Sequence, residues 1–239
     1  MKIIFVRHGE PLKNDFGIAD KGKQEMRFLA DYLKNNYQVD NIISATSQRA
    51  KESVDVLNEC FNKEIFFYDF LSEFKYRLPK EMKGCEFPWE FPPMYWINND
   101  EMLDYKKVLD EPIFSNSEIS KNAQRVWDGL DQIISNYGYD RSGNMYNVVS
   151  GNKKVIVIVT HFATMAVMLA HLWNVSLLMT LNMLFMAPSS YTVVSTEEII
   201  TGQAIFRCLE LGSTKHLFNR NDLLSEYGRQ EEVKGDING

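Results

Sequence analysis

Residues 155–173, VIVIVTHFATMAVMLAHLW, decide the fold. The run is apolar almost throughout and long enough to invite a membrane-span reading. Its two halves have different conformational preferences, however. Val155, Ile156, Val157, Ile158 and Val159 are β-branched, whereas the stretch from Phe162 onward is rich in Ala, Met and Leu. The change at Thr160–His161 predicts a buried strand running directly into a buried helix. A strand with no polar alternation belongs in the middle of a parallel sheet covered on both faces.

The same pattern recurs to either side. KIIFV (2–6) reads as a central strand. Asp20 is placed to cap a helix through about Asn35, with Met26, Leu29, Ala30 and Leu33 at helical spacing. NIIS (41–44) is a second strand, after which Ser47 caps a helix striped by Ala50, Val54, Leu57 and Phe61. EIFFYDFL (64–71) gives a third strand. From Arg77 to about Asn116 the pattern loosens, and CEFPWEFPPMYW (85–96) carries five aromatics and three prolines, so no regular element is predicted there. A helix resumes near Ser117 with Val126, Leu130, Ile133, Ile134 and Tyr137 on one face. GYDRSGN (138–144) reads as a turn-rich excursion, followed by 155–173 and by strands near 190–195 and 203–209. The alternation predicts an α/β fold, a three-layer sandwich with a mostly parallel central sheet and helices on both faces. The expected organisation is one domain over 1–218, an insertion at about 77–116, and a polar C-terminal tail over 219–239 that is frayed or weakly helical.

With 239 residues, 45% of them hydrophobic and 24% charged, the chain has the composition of a globular protein with a substantial core. Its formal net charge of −6 argues against nucleic-acid binding. An anionic substrate would have to be held by a local arginine cluster. Cys60, Cys85 and Cys208 are odd in number and form no CxxC pair, so neither a disulfide framework nor a zinc knuckle is expected. MKIIFVRHGE has too short an apolar run for a signal peptide. The expectation is a cytoplasmic protein with no membrane partner.

Three strand ends carry the chemistry. Arg7-His8-Gly9-Glu10 follows the first strand, at the carboxyl edge where parallel sheets bind ligands. An arginine next to a histidine favours the neutral, nucleophilic imidazole. Taken alone, the tetrapeptide fits a surface arginine beside a half-buried histidine equally well. Arg49 lies in the first turn of the second helix, where a helix N-terminus and a guanidinium fork both suit phosphate. His161 opens the helix after VIVIVT and needs a polar partner in so apolar a setting; taken alone it reads as a core histidine bonded to a carbonyl.

Together these residues resemble the histidine phosphatase superfamily, whose fold is phosphoglycerate mutase-like. RHGE with Asn14, SATSQRAKES (44–53) and IADKGKQE (18–25) are similar to its nucleophile, arginine and first-helix motifs. LSE (71–73), VIVIVTHF and LGSTKHL (211–217) resemble its acid, second-histidine and closing motifs. The matched positions cover roughly 1–75 and 153–217, in the family's order. Two features depart from the pattern. Phe162 stands where the family has glycine after its second histidine, and FKYRLPKE replaces the family's Gly-x-x-Glu-Gly.

The resemblance implies a phosphatase in which His8 attacks phosphorus and forms a phosphohistidine. Arg7, Arg49, His161 and Asn14 would hold the phosphate oxygens, Phe162 would shape the pocket, and Glu73 would be the general acid, with Glu81 and Glu86 as runners-up. It implies no metal and no cofactor, the cations replacing the metal ions of other phosphatases, and a small phosphorylated substrate as partner. Two other functions remain: a phosphoglycerate mutase-type phosphoryl transfer, and a non-catalytic phospho-ligand binding protein. His171 and His216 are read as structural. The run Phe87, Trp89, Phe91, Tyr95 and Trp96 is expected to be a lid, with a hydrophobic plug or a homodimer contact as alternatives.

Overall fold

The computed structural model describes residues 1–13, 16–79 and 85–229. In chain order the elements are β1 (Lys2–Arg7), α1 (Asp20–Asn36), β2 (Asn41–Ala45), α2 (Gln48–Asn58), β3 (Ile65–Tyr68), the short α3 (Asp100–Leu103) and α4 (Pro112–Ser115), and α5 (Glu118–Ser135). They continue with β4 (Tyr139–Ser142), β5 (Met145–Val148), β6 (Val155–Thr160), α6 (Phe162–Trp173), α7 (Leu177–Met183), β7 (Tyr191–Ile200) and β8 (Gln203–Ser213). One sheet holds all eight strands in the order β3-β2-β6-β1-β7-β8-β5-β4. Its first four members are parallel, and from β1 onward every pairing is antiparallel.

The α/β sandwich therefore has a parallel half and an antiparallel half. β6 is buried at every position, as its unbroken apolar run requires, and β1 is nearly so. The chain steps from β1 out to β2 and β3 and then returns to β6. Right-handed crossovers accordingly put α1 and α2 on one face and α5 on the other. α1 packs on α2, while α6 packs on α5 and α7. The switch at Thr160–His161 falls where the sequence put it, and α6 has 12 residues, about 18 Å of helix. No described helix is long and apolar enough to cross a membrane.

Several local expectations need correction. Residues 138–144 are not an irregular excursion: β4 and β5 form a hairpin that extends the sheet, turning at Gly143 with φ +60°. Asp20 is the first residue of α1 and not its cap; Ala19 holds the cap position. β3 is shorter than 64–71, because Asp69–Leu71 turn into a 3-10 helix. The aromatic insertion divides. Phe91 and Trp96 are buried, Phe91 edge-on to Phe114 and the Trp96 Nε1–H donating to the Phe91 carbonyl at 3.1 Å, so these two are a plug and not a lid. Phe87 and Trp89 stack on each other at 4.5 Å, and Tyr95 is exposed. The tail beyond Phe218 is not frayed through Arg229. Asn221–Leu223 form a 3-10 turn, and Leu223 and Ser225 are buried.

Candidate active site

The strand order explains how residues far apart in sequence meet. β3, β2, β6 and β1 lie side by side and point the same way, so the segments leaving their carboxyl ends converge at one sheet edge. In that order they deliver Glu73, then Ser47 and Arg49, then His161, then His8. Arg7 pairs with Thr160 across β1 and β6, and the His8 amide donates to the Thr160 carbonyl at 3.0 Å. This register sets the two imidazoles next to each other, with ring centroids 4.9 Å apart at 62°.

His8 is 1% exposed. Its Nδ1 lies 2.8 Å from the Gly9 carbonyl oxygen. A carbonyl only accepts, so Nδ1 carries the proton and the lone pair is on Nε2. Burial, then the neighbouring His161, Arg7 and Arg49, hold the His8 pKa well below the ordinary histidine value, which leaves the ring neutral at pH 7. The loop after it is tightly set. The Gly9 N–H donates to Ser53 Oγ at 3.0 Å, and a Cβ on Gly9 would sit 2.6 Å from the Gly22 carbonyl oxygen. Glycine is thus needed at position 9 to let the start of α1 approach. The Glu10 N–H donates to the buried carboxylate of Glu25 at 2.8 Å.

His161 is fully buried, and burial followed by Arg49, Arg7 and Lys75 keeps its pKa well below ordinary. Its Nε2 lies 2.7 Å from Ser47 Oγ, and its Nδ1 lies 3.4 Å from Arg49 Nη2. In the neutral ring Nε2–H donates to the serine and Nδ1 accepts from the guanidinium. Ser47 does occupy the N-cap position of α2, but its hydroxyl makes no capping bond. Sequence reasoning read Ser47 as a cap and missed this role.

Glu73 comes into the same group. Its Oε1 accepts from the Ala163 N–H, in the first turn of α6, at 3.2 Å. Its Oε2 lies 3.6 Å from His161 Nδ1 and 3.9 Å from Arg49 Nη2. The loop carrying it is fastened by Thr160 Oγ donating to the Leu71 carbonyl and Thr164 Oγ to the Ser72 carbonyl, both at 2.6 Å. The runner-up Glu86 instead pairs with Arg77, and Glu81 and Asn14 lie outside the described residues.

Arg7 is 5% exposed and reaches toward the loop before β7. Its Nη1 donates to the Met186 carbonyl at 2.6 Å and to the Tyr227 carbonyl at 3.2 Å, while its buried Nε has no hydrogen-bond partner among the described residues. The Phe162 ring centroid is 5.9 Å from Arg7 Cζ, and that of Tyr227 is 5.7 Å away. Neither Met186 nor Tyr227 was singled out from sequence, because both act through backbone carbonyls.

Of the remaining histidines, both read as structural from the sequence, His171 has both ring nitrogens paired, whereas the buried Nδ1 of His216 has no partner among the described residues. His171 is bonded to Tyr105 Oη through Nδ1 at 2.5 Å and to Asp131 through Nε2 at 2.8 Å, with Trp127 stacked on its ring. His216 Nε2 lies 3.2 Å from Ser189 Oγ.

Chemically, the edge offers one neutral imidazole with an exposed lone pair, two guanidiniums, a second imidazole able to take a proton, and a carboxylate. His8, Glu73 and His161 also place one potential ligand atom each within 4.8 Å of one another. A zinc ion at ~2.0–2.1 Å from each would accept that donor set. Arg7 and Arg49 stand beside this set and, after burial, lower the pKa of both histidines. The guanidiniums give the same group the means to hold an anion.

The histidine phosphatase superfamily (branch 1) family model matches residues 3–199. No curated protein matches the chain. Among solved structures, a histidine-to-alanine variant of the phosphoserine phosphatase of Entamoeba histolytica, in complex with phosphoserine, superposes with a TM-score of 0.59 at 18% identity, covering 90% of this chain and 98% of that one. The alpha-ribazole phosphatase of Shigella flexneri does so with a TM-score of 0.56 at 15% identity, covering 90% and 97%. A mycobacterial glucosyl-3-phosphoglycerate phosphatase complexed with VO3 gives 0.57 at 14% identity, covering 87% and 97%. At these identities the likeness carries the fold, and the match to the family model over most of the chain carries the kinship: the protein belongs to branch 1 of the histidine phosphatase superfamily.

Proposed function

We propose that the chain is a metal-independent phosphomonoester hydrolase that works through a phosphohistidine on His8. The observation that carries this reading is the fixed tautomer of His8: its Nδ1–H is committed to the Gly9 carbonyl 2.8 Å away, which leaves the lone pair on Nε2, and His161, Arg7 and Arg49 are near enough to help burial keep the ring neutral. The orphaned Arg7 Nε is a donor in want of an acceptor, and a phosphate oxygen supplies one. The structural neighbours described as phosphatases of small phosphorylated molecules point the same way.

In the first step Nε2 of His8 forms a bond to phosphorus as the bond to the ester oxygen breaks. Arg7, Arg49 and a now-protonated His161 hold the equatorial oxygens, so the charge that builds there meets preorganised cations. Glu73 in its acid form gives its proton to the departing oxygen. In the second step the Glu73 carboxylate takes a proton from water as the water oxygen attacks phosphorus, and the N–P electron pair returns to Nε2. The guanidiniums do the work of a metal ion, so none is needed.

The test is to trap the intermediate. Brief incubation with a radiolabelled phosphate ester, quenched in alkali, should give one equivalent of alkali-stable, acid-labile phosphate on the wild type and none on His8→Ala. Label retained on the alanine variant, or no label and no phosphate release by the wild type with any ester, would overturn the reading. The second outcome would favour a phospho-ligand binding protein.

A further inference from the structure

The segment after β8 returns across the sheet edge and fastens onto two residues of the RHGE motif. The Ser225 hydroxyl donates to the Glu10 carboxylate and also accepts from the Tyr227 N–H at 3.1 Å. Lys21 Nζ donates to the Leu224 carbonyl at 3.1 Å. The Tyr227 carbonyl accepts from Arg7 Nη1 at 3.2 Å. Gly228 has φ +86°, and a Cβ there would meet Arg7 Nη2 at 3.2 Å, so the backbone is pressed against the guanidinium where only glycine fits well. Nothing in the matched motifs accounts for this contact.

Its result is a pair of rings. Phe162, where the family has glycine, and Tyr227 both approach Arg7 Cζ to within 6 Å, at 5.9 and 5.7 Å. A phosphate oxygen bound by a guanidinium lies about 2.7–2.9 Å from its nitrogen. A phosphate on this guanidinium would have both rings as neighbours of its anchoring cation. Tyr227 is 42% exposed.

We propose that Tyr227, together with Phe162, is a specificity-determining residue that selects phosphate esters with a planar, aromatic leaving group. This rests on the phosphate site assigned above and extends it to a substrate class. The contacts divide the roles. The Tyr227 carbonyl positions Arg7 and survives any side-chain substitution, whereas the ring faces the leaving group.

The experiment is calorimetric binding of two non-hydrolysable probes, phenylphosphonate and methylphosphonate, to the full chain and its Tyr227→Ala, Tyr227→Leu and Tyr227→Phe variants. Tyr227→Ala and Tyr227→Leu should weaken phenylphosphonate by about 3- to 10-fold, the worth of one aromatic contact. Methylphosphonate should change by less than twofold, and Tyr227→Phe should match the wild type. An unchanged ratio of the two affinities in the alanine and leucine variants would overturn the proposal, as would equal weakening of both probes. Because binding needs no turnover, these outcomes are separate from the fate of the phosphohistidine. A wild type that traps label on His8 but shows no preference for phenylphosphonate refutes only the specificity, and one that binds neither probe refutes the phosphate site as well.

Discussion

Replacing Glu25 with glutamine tests how the first helix is tied to the loop that follows His8. Glu25 is buried, its Oε2 accepts the Glu10 N–H at 2.8 Å, and its Oε1 has no hydrogen-bond partner among the described residues. Burial raises its pKa from 4.5 to about 7. Between pH 4.5 and 7 the folded protein therefore holds a proton that the unfolded chain has released. Stability from this group is fully present below pH 4.5 and is lost as the pH rises through 7. The shift of about 2.5 units amounts to about 3 kcal/mol at 1.36 kcal/mol per unit, or roughly 6–12 °C in Tm for a domain of this size. Glutamine keeps the acceptor for Glu10 and does not titrate. Its buried NH2 carries a penalty of about 1–3 kcal/mol that is the same at every pH. Urea unfolding of both proteins at pH 5, 7 and 8.5 isolates the slope. The stability of Glu25→Gln relative to the wild type should rise by up to about 3 kcal/mol between pH 5 and 8.5. His8, His161 and His216, which destabilise both proteins as the pH falls below 6.5, cancel in the difference. A difference that is flat with pH, or that falls, would show that Glu25 is ionised in the fold and that the reasoning is wrong.

Glu73→Gln should slow phosphorylation of His8 by an alkyl phosphate roughly 10²–10⁴-fold, and by nitrophenyl phosphate far less, because nitrophenolate leaves without a proton; rapid-quench rates falling equally for both would reject Glu73 as the acid. EDTA should leave phosphate release unchanged while vanadate competes with substrate, and activity lost to chelator and restored by zinc would reverse the metal-free assignment. Vanadate binding near pH 7 should also take up a proton, since burial and then Arg49 and Arg7 keep His161 neutral and a bound anion opposes the arginine part of that shift; titration calorimetry in buffers of different ionisation enthalpy would read zero uptake if that is wrong.

Those groups were legible because each stands directly after a strand whose apolar run announces it. β1 ends in Arg7-His8, β6 ends before His161, and β2 ends before Ser47 and Arg49. Glu73 was reached only through the resemblance, since a glutamate in a loop carries no signal until the turn at Asp69–Leu71 is known to fold it onto α6. The hairpin β4–β5 did leave a trace: Tyr139 and Tyr146 are buried aromatics flanking the Gly143 turn, and the turn residues were noticed while the flanking pattern was not. Ser47 was placed correctly and misread, because a cap and a histidine partner look alike in one dimension. The tail was misread for the opposite reason. Its polar composition gave no hint that Leu223 and Ser225 would be buried, since its anchors are the carbonyl of Tyr227 and the hydroxyl of Ser225, reaching residues more than 200 positions away.

The boundary between what could and could not be read follows the two halves of the sheet. On the parallel side each strand delivers a side chain to the common edge, and side chains are what a sequence spells out. On the antiparallel side β7 is approached through a loop whose contributions are backbone ones: the Met186 carbonyl holds Arg7, and the Ser189 N–H donates to the His8 carbonyl at 3.0 Å. The C-terminal segment extends that second set by adding the Tyr227 carbonyl to the same guanidinium. Arg7 is the point where the two sets meet. It is supplied by a parallel strand, fixed by carbonyls from the antiparallel side, and left with a buried Nε that has no hydrogen-bond partner among the described residues. Under the proposed mechanism, specificity should accordingly vary with the antiparallel loop and the tail, and the reaction itself should depend on the four parallel strands.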